Sequence, residues 1–337
     1  MESGTYTNDV LLGRIASIRG TKDDNGVETY LKVGENATLN ANFGILVTYA
    51  TGSEASYGAV VDFYGEFVGK SGLIYGTTGI TVNGTIRKTS GNVPVVNIYE
   101  EAKITSVNGT DPDPNNAAGP AIYGGGYVIW NIFGGEIKGS EALSIKSGKW
   151  NITGGNFTAT GDAIAIPVAN GNGSEATGAA ISITANSSYA KNVELDISGG
   201  VFVSENGLAF LETKSVDTKS ALKEDLDNNI NASDSVSIVG GNFNGGFYSE
   251  YATGFIKGGY IETTTDNKYI NDDSDFDITT GKVRELRIIT VDGYSYGDVN
   301  LSKYTGYVDD VIIVDANPQT GYYLKDVTIY ETNNPNN

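Results

Sequence analysis

Neither a cysteine nor a histidine occurs anywhere in the 337 residues. That removes disulfide staples, zinc fingers and iron–sulfur sites, and with them Ser-His-Asp and Cys-His nucleophilic catalysis. Proline is scarce, at 7, so the chain is neither collagen-like nor a proline-rich spacer. Positive charge is short too: 22 Lys and Arg face 41 Asp and Glu, a balance of −19. A field of that sign disfavours nucleic acid and anionic membrane surfaces. No apolar run reaches the ~18 residues of a membrane-spanning helix, so no direct membrane insertion is expected. The opening Met1–Tyr6 lacks the charged and apolar regions of a signal peptide, and the closing 333–337 reads like the start of a linker. Acidity, no cysteine and abundant Gly, Asn and Thr point to an extracellular location.

What is abundant is glycine, 45 residues, and much of it is placed periodically. Trp130-Asn131-Ile132-Phe133-Gly134-Gly135-Glu136-Ile137 recurs as Trp150-Asn151-Ile152-Thr153-Gly154-Gly155-Asn156-Phe157. Further copies are Leu195–Phe202, Val236–Phe243 and, degenerate, Gly254–Ile261. The first glycine of each pair falls at 134, 154, 199, 240 and 258, so the spacing is about one or two units of roughly 20 residues. Within a unit, apolar and polar residues alternate with period 2, which is a strand with one face inward. The Gly-Gly pair bends the chain, and an apolar residue such as Phe157 re-enters the interior. Shorter runs such as Ala142–Ile145, Ala163–Ile166 and Ala180–Ile183 supply further strands. A rung of this kind cannot bury its apolar face alone; stacking creates the core. The pattern predicts an all-β fold, a right-handed parallel β-helix solenoid over 31–282.

Residues 1–30 are expected to form an N-terminal cap, antiparallel because Asn25-Gly26 is a strong hairpin signal between two apolar runs. Thr218–Leu226 is the only stretch that suggests a helical turn. After about residue 283 the Gly-Gly unit stops and tyrosine becomes dense, which predicts a small Tyr-rich β domain over 283–337, with strands near 286–291, 311–314 and 327–330.

The Trp-Asn-Ile-Thr-Gly-Gly-Asn-Phe unit, together with runs such as Val33–Leu39, resembles the pectin-lyase-like right-handed β-helix regions of large bacterial cell-surface proteins of the Firmicutes type. Asn317–Ile329 resembles the small β repeats that follow such regions. The resemblance implies an adhesin-like or stalk module on a bacterial surface, with glycans or host surface proteins as partners. It names no ligand and no reaction.

Candidate chemistry is sparse. Lyases and hydrolases of this fold class use Asp-bound Ca²⁺ with an Arg or Lys base, or paired carboxylates. Arg occurs only at 14, 19, 87, 284 and 287, none between 100 and 280. Asp162 and Asp196 are isolated acids, the ordinary signature of solvated surface. A non-enzyme is therefore expected; the alternatives are a polysaccharide-degrading β-helix and a phage tail-spike type, which would form an intimate trimer. Asp273, Asp275 and Asp277 alternate and, if extended, share a face where a Ca²⁺ could relieve their repulsion; the EF-hand pattern fails at Ile278 and Arg284. As a bland alternative they form a solvated acidic loop. Trp130 and Trp150, one period apart, are expected to stack in the core rather than serve as a sugar platform. Tyr294, Tyr296, Tyr322 and Tyr323 are the glycan-binding candidates, although tyrosine is also simply a good strand former. Gly124-Gly125-Gly126 is no phosphate loop, since no Lys-Ser/Thr follows it.

Overall fold

The computed structural model describes residues 1–8, 14–19, 29–41, 43–48, 59–69, 78–83, 93–106, 119–163, 177–185, 191–214, 236–250, 252–291 and 296–328. The fold is all-β with long parallel sheets. It divides into two compact units: Met1–Asp272 with Phe276–Val283, and Arg284–Asn337 with Asp273–Asp275.

In the first unit, seven strands form one parallel sheet: Thr29–Val33, Ala59–Phe63, Val95–Ile98, Ile129–Ile132, Ser147–Ile152, Lys191–Ile197 and Val236–Ile238. Between consecutive members the chain visits a larger, seventeen-stranded sheet twice. After Ile129–Ile132 come Glu136–Gly139 and Leu143–Ile145; after Ser147–Ile152 come Asn156–Ala159 and Ile181–Ala185. Each lies parallel on its counterpart one unit away. One unit later a single 14-residue strand, Val201–Lys214, covers both positions, and Asn242–Ser249 pairs along it.

Identical repeat positions therefore meet. Ile98, Ile132, Ile152, Ile197 and Ile238 are in register and fully or almost fully buried. Beyond the bend, Ile137, Phe157, Phe202 and Phe243 form a second buried column. The three phenylalanine rings stack with centroids 4.6 Å apart. Trp130 and Trp150 are wholly buried and stacked at 4.5 Å.

The bend explains both glycines. The second of each pair sits at positive φ, +95° at Gly135 and +106° at Gly200, which side chains other than hydrogen rarely tolerate. The first has ordinary dihedrals but no room: a Cβ on Gly199 would come within 3.0 Å of the Thr153 carbonyl oxygen one unit away.

The amino-terminal strands differ from expectation. Ser3–Thr7 and Arg14–Arg19 pair in parallel, with Asn36–Ala41 and Phe43–Thr48, so the antiparallel hairpin is not formed. A local turn signal competes there with burial of an apolar face on the next unit, and stacking wins. Asn25-Gly26 itself, and the expected helical turn at 218–226, lie outside the described residues. Among the described residues the first antiparallel pairing comes where the repeat ends, with Gly259 opposite Val283 and Tyr260 opposite Lys282.

The second unit holds two antiparallel two-stranded sheets, Leu286–Ile288 with Thr305–Tyr307 and Gly297–Leu301 with Val314–Pro318. Of the strand expected at 311–314 only Val314 is in strand; Val311 and Ile313 are 81% and 65% exposed. Arg284 ties this unit together, its guanidinium on Asp275 and, at 3.0 Å, on Asp310, which also takes Lys303 at 3.2 Å.

Candidate functional site

The outer face of the seven-stranded sheet carries an ordered row of half-buried polar groups. Period-2 alternation sends Trp130 and Ile132 inward, so Asn131 between them must point out. Register then places Asp62, Asn97, Asn131, Asn151 and Asp196 in one row. The amides form a directed ladder: Asn151 Nδ2 donates to Asn131 Oδ1 at 2.8 Å, Asn131 Nδ2 to Asn97 Oδ1 at 2.9 Å, and Asn97 Nδ2 to Asp62 Oδ1 at 2.7 Å. Asp62 sets the direction. An ionised carboxylate only accepts, so Asn97 must present its NH₂, and that orientation propagates along the row.

Aromatic rings flank the ladder. Tyr64 and Tyr99 stack at 4.0 Å, and Phe133, 43% exposed, tilts against Tyr99 at 5.3 Å. Tyr30, on the other flank, donates its hydroxyl to Asp62 Oδ2 at 2.8 Å. That hydrogen bond to a carboxylate, with some burial and the charge of Asp62, pushes the Tyr30 phenol up to about 12. The Tyr99 phenol is also raised, by burial first and then by its hydrogen bond to Tyr64. Both rings are therefore neutral at any ordinary pH. At the edge of the row Lys149 faces Glu194 at 3.7 Å.

The residues singled out in the sequence are placed otherwise. In the second unit Tyr296 and Tyr322 stack in parallel at 4.5 Å, 61% and 53% exposed, with Tyr323 82% exposed. Sequence separation hid that pairing; the sheet joining Gly297–Leu301 to Val314–Pro318, with Gln319 N–H on the Tyr296 carbonyl, brings them together. Tyr294 lies outside the described residues. The carboxylate of Asp275 is occupied by Arg284. That of Asp277 accepts from Thr279 N–H at 2.9 Å and Thr280 Oγ1 at 2.7 Å, which lowers its pKa. Among the described residues no group of three or more acidic side chains is arranged to hold a metal ion. Asp275 and Asp277 lie in a short strand, Asp275–Asp277, but Asp273 precedes it in a turn, so the three aspartates do not share one extended face. Asp162 and Asp196 are exposed, as isolated surface acids are.

The sequence reading missed several buried polar groups. Glu141 is fully buried, Oε1 accepting from Thr177 N–H at 2.6 Å and Oε2 from Ser182 Oγ at 3.2 Å. Lys146, also fully buried, donates to the Thr184 carbonyl at 3.3 Å and to its hydroxyl. Glu212 is fully buried in the larger sheet. Their only sequence signal was a charge beside or inside an alternating apolar run.

Comparison with known proteins adds no assignment: no protein-family model, no curated protein and no solved structure matches the chain. No helix among the described residues is long and apolar enough to cross a membrane.

Proposed function

We propose that the chain is a right-handed parallel β-helix module of an extracellular, bacterial cell-surface protein, without enzymatic activity, that presents its seven-stranded sheet as a binding face for neutral glycans. The observation that carries this reading is the Asp62–Asn97–Asn131–Asn151 ladder beside Tyr64, Tyr99 and Phe133. Asn97 and Asn131 each spend one N–H and one acceptor site on their neighbours, and Asn151 spends one N–H; the remaining donors and acceptors suit the paired donor–acceptor character of sugar hydroxyls. Phe133 supplies an apolar surface next to them. Units recur at the ~4.8 Å spacing of parallel strands, so the face offers the same groups repeatedly along one direction. The excess of 19 negative charges disfavours polyanions and favours neutral or basic partners.

The test is a glycan and extracellular-matrix array probed with the purified chain, with and without Ca²⁺, beside the variants Phe133→Ser and Asn131→Leu. Binding of neutral glycans that both variants reduce supports the reading. Binding that neither variant changes moves the site elsewhere, with the Tyr296–Tyr322 pair next in line. Release of products from pectin or alginate overturns the non-enzymatic reading.

A further inference from the structure

Glu212 stands at an inward position of the larger sheet. It is in register with Ile183 on one side and Ser249 on the other, in the column that Ile145 also occupies. Its side chain is fully buried. Oε2 takes both available donors, the hydroxyl of Ser249 and Ala252 N–H at 3.2 Å. Among the described residues Oε1 is buried with no hydrogen-bond partner. Among the described residues no cation acts on the group. Ile181–Ala185 carries no ionisable side chain. On the Ser249 side, Tyr269 is engaged with the Ser249 backbone, and Lys268 is turned onto the Tyr269 ring and Asp266. The one charged influence on Glu212 among the described residues is Glu250, which has the same sign. A buried carboxylate with one oxygen unpartnered and no cation acting on it among the described residues, and a like charge nearby, favours the neutral acid; with Oε2 accepting two hydrogen bonds, the proton goes to Oε1.

We propose that Glu212 is an acid-set latch: protonated, it closes the pairing of Val201–Lys214 with Asn242–Ser249; deprotonated, it must find water, and it loosens that end of the sheet. Only a proton moves, from the buried Oε1 to solvent. Burial first of all raises the Glu212 carboxyl from 4.5 to about 7, the Ser249 and Ala252 hydrogen bonds opposing only in part. The sign follows from linkage. Between those two values the closed form holds a proton that the open, hydrated form has lost, so closure weakens as pH rises through that window. Below it both forms are protonated and above it both are charged, so the change is confined to the window. Its full size is the ratio of the two acid constants, a factor of about 300 in the opening equilibrium.

Hydrogen exchange reads this directly. Ala252 N–H is shared between Ser249 Oγ at 2.7 Å and Glu212 Oε2 at 3.2 Å, and Glu250 N–H bonds the Glu212 carbonyl at 3.0 Å. Corrected for intrinsic exchange, protection at these two amides should fall by about two orders of magnitude between pH 4.5 and 7, relative to amides around Ile132. In Glu212→Gln, which cannot ionise, the profile should be flat. Glu250→Gln, on an exposed side chain, should keep the fall, with its midpoint moved slightly down. Flat protection in the unmodified protein overturns the proposal whether or not the Gln variant folds, and so does an undiminished fall in a folded Gln variant.

Discussion

Replacing Gly199 by alanine tests the stacking geometry at its tightest point. The new methyl would lie within 3.0 Å of Thr153 O and 3.0 Å from Thr153 C, atoms of the neighbouring unit's backbone that no rotamer change can move. Relief requires the two units to separate locally. The bend is held on either side by Ser198 N–H on Ile152 O and Val201 N–H on Gly155 O, both at 2.8 Å. Breaking one of these bonds, or forcing a methyl into a packed contact, costs about 1–3 kcal/mol. We expect Gly199→Ala to lose about 3 kcal/mol. Gly200→Ala acts by another route: φ is +106° and its Cβ contacts lie at 3.2 and 3.3 Å, so backbone strain dominates, at about 2 kcal/mol. Gly254 is the control, at φ +64° with nothing within 4 Å of its Cβ, and its alanine variant should lose only about 1 kcal/mol. Urea denaturation followed by the fluorescence of buried Trp130 and Trp150 measures all three. A loss below about 0.5 kcal/mol for Gly199→Ala would mean that the units are not stacked this closely.

Ile152→Asp places a carboxylate between Ile132 and Ile197 in a fully buried column and should cost about 3–5 kcal/mol in the same assay; a loss below about 1 kcal/mol would put that side chain in solvent. Millimolar Ca²⁺ should leave the melting temperature unchanged, because Arg284 already neutralises Asp275 and Asp277 is spent on its own turn; a calcium-dependent rise abolished by Asp275→Asn would restore the metal site.

The interior was legible where the repeat is strict. Trp130 and Trp150, or Ile132 and Ile152, are 20 residues apart, and one period of chain returns each to its own predecessor. The outward row was legible only in part. Asn131 and Asn151 repeat visibly, but Asn97 and Asp62 stand 34 and 35 residues further back, across units whose irregular loops hide the register. The supposed hairpin failed for a related reason: Asn-Gly reports a local turn preference, whereas partners were chosen by burial against distant units. Glu212 could not be read at all. In an alternating strand it looks like one more solvent-facing acid, and only the pairing with Ile183 and Ser249 turns it inward.

That each unit lies parallel on the one before it, position on position, is the claim from which core, bend and outward ladder follow. A chain without native cysteine allows a clean test. Lys138 and Thr158 are register partners on an outward face, and adjacent strands at ~4.8 Å fall within the Cα separation a disulfide accepts. Oxidation of the Lys138→Cys/Thr158→Cys double variant should give one intramolecular disulfide in high yield. Lys138→Cys/Ala159→Cys, one residue out of register with Ala159 buried, should give little. Equal cross-linking of both pairs, or of neither, would contradict the register.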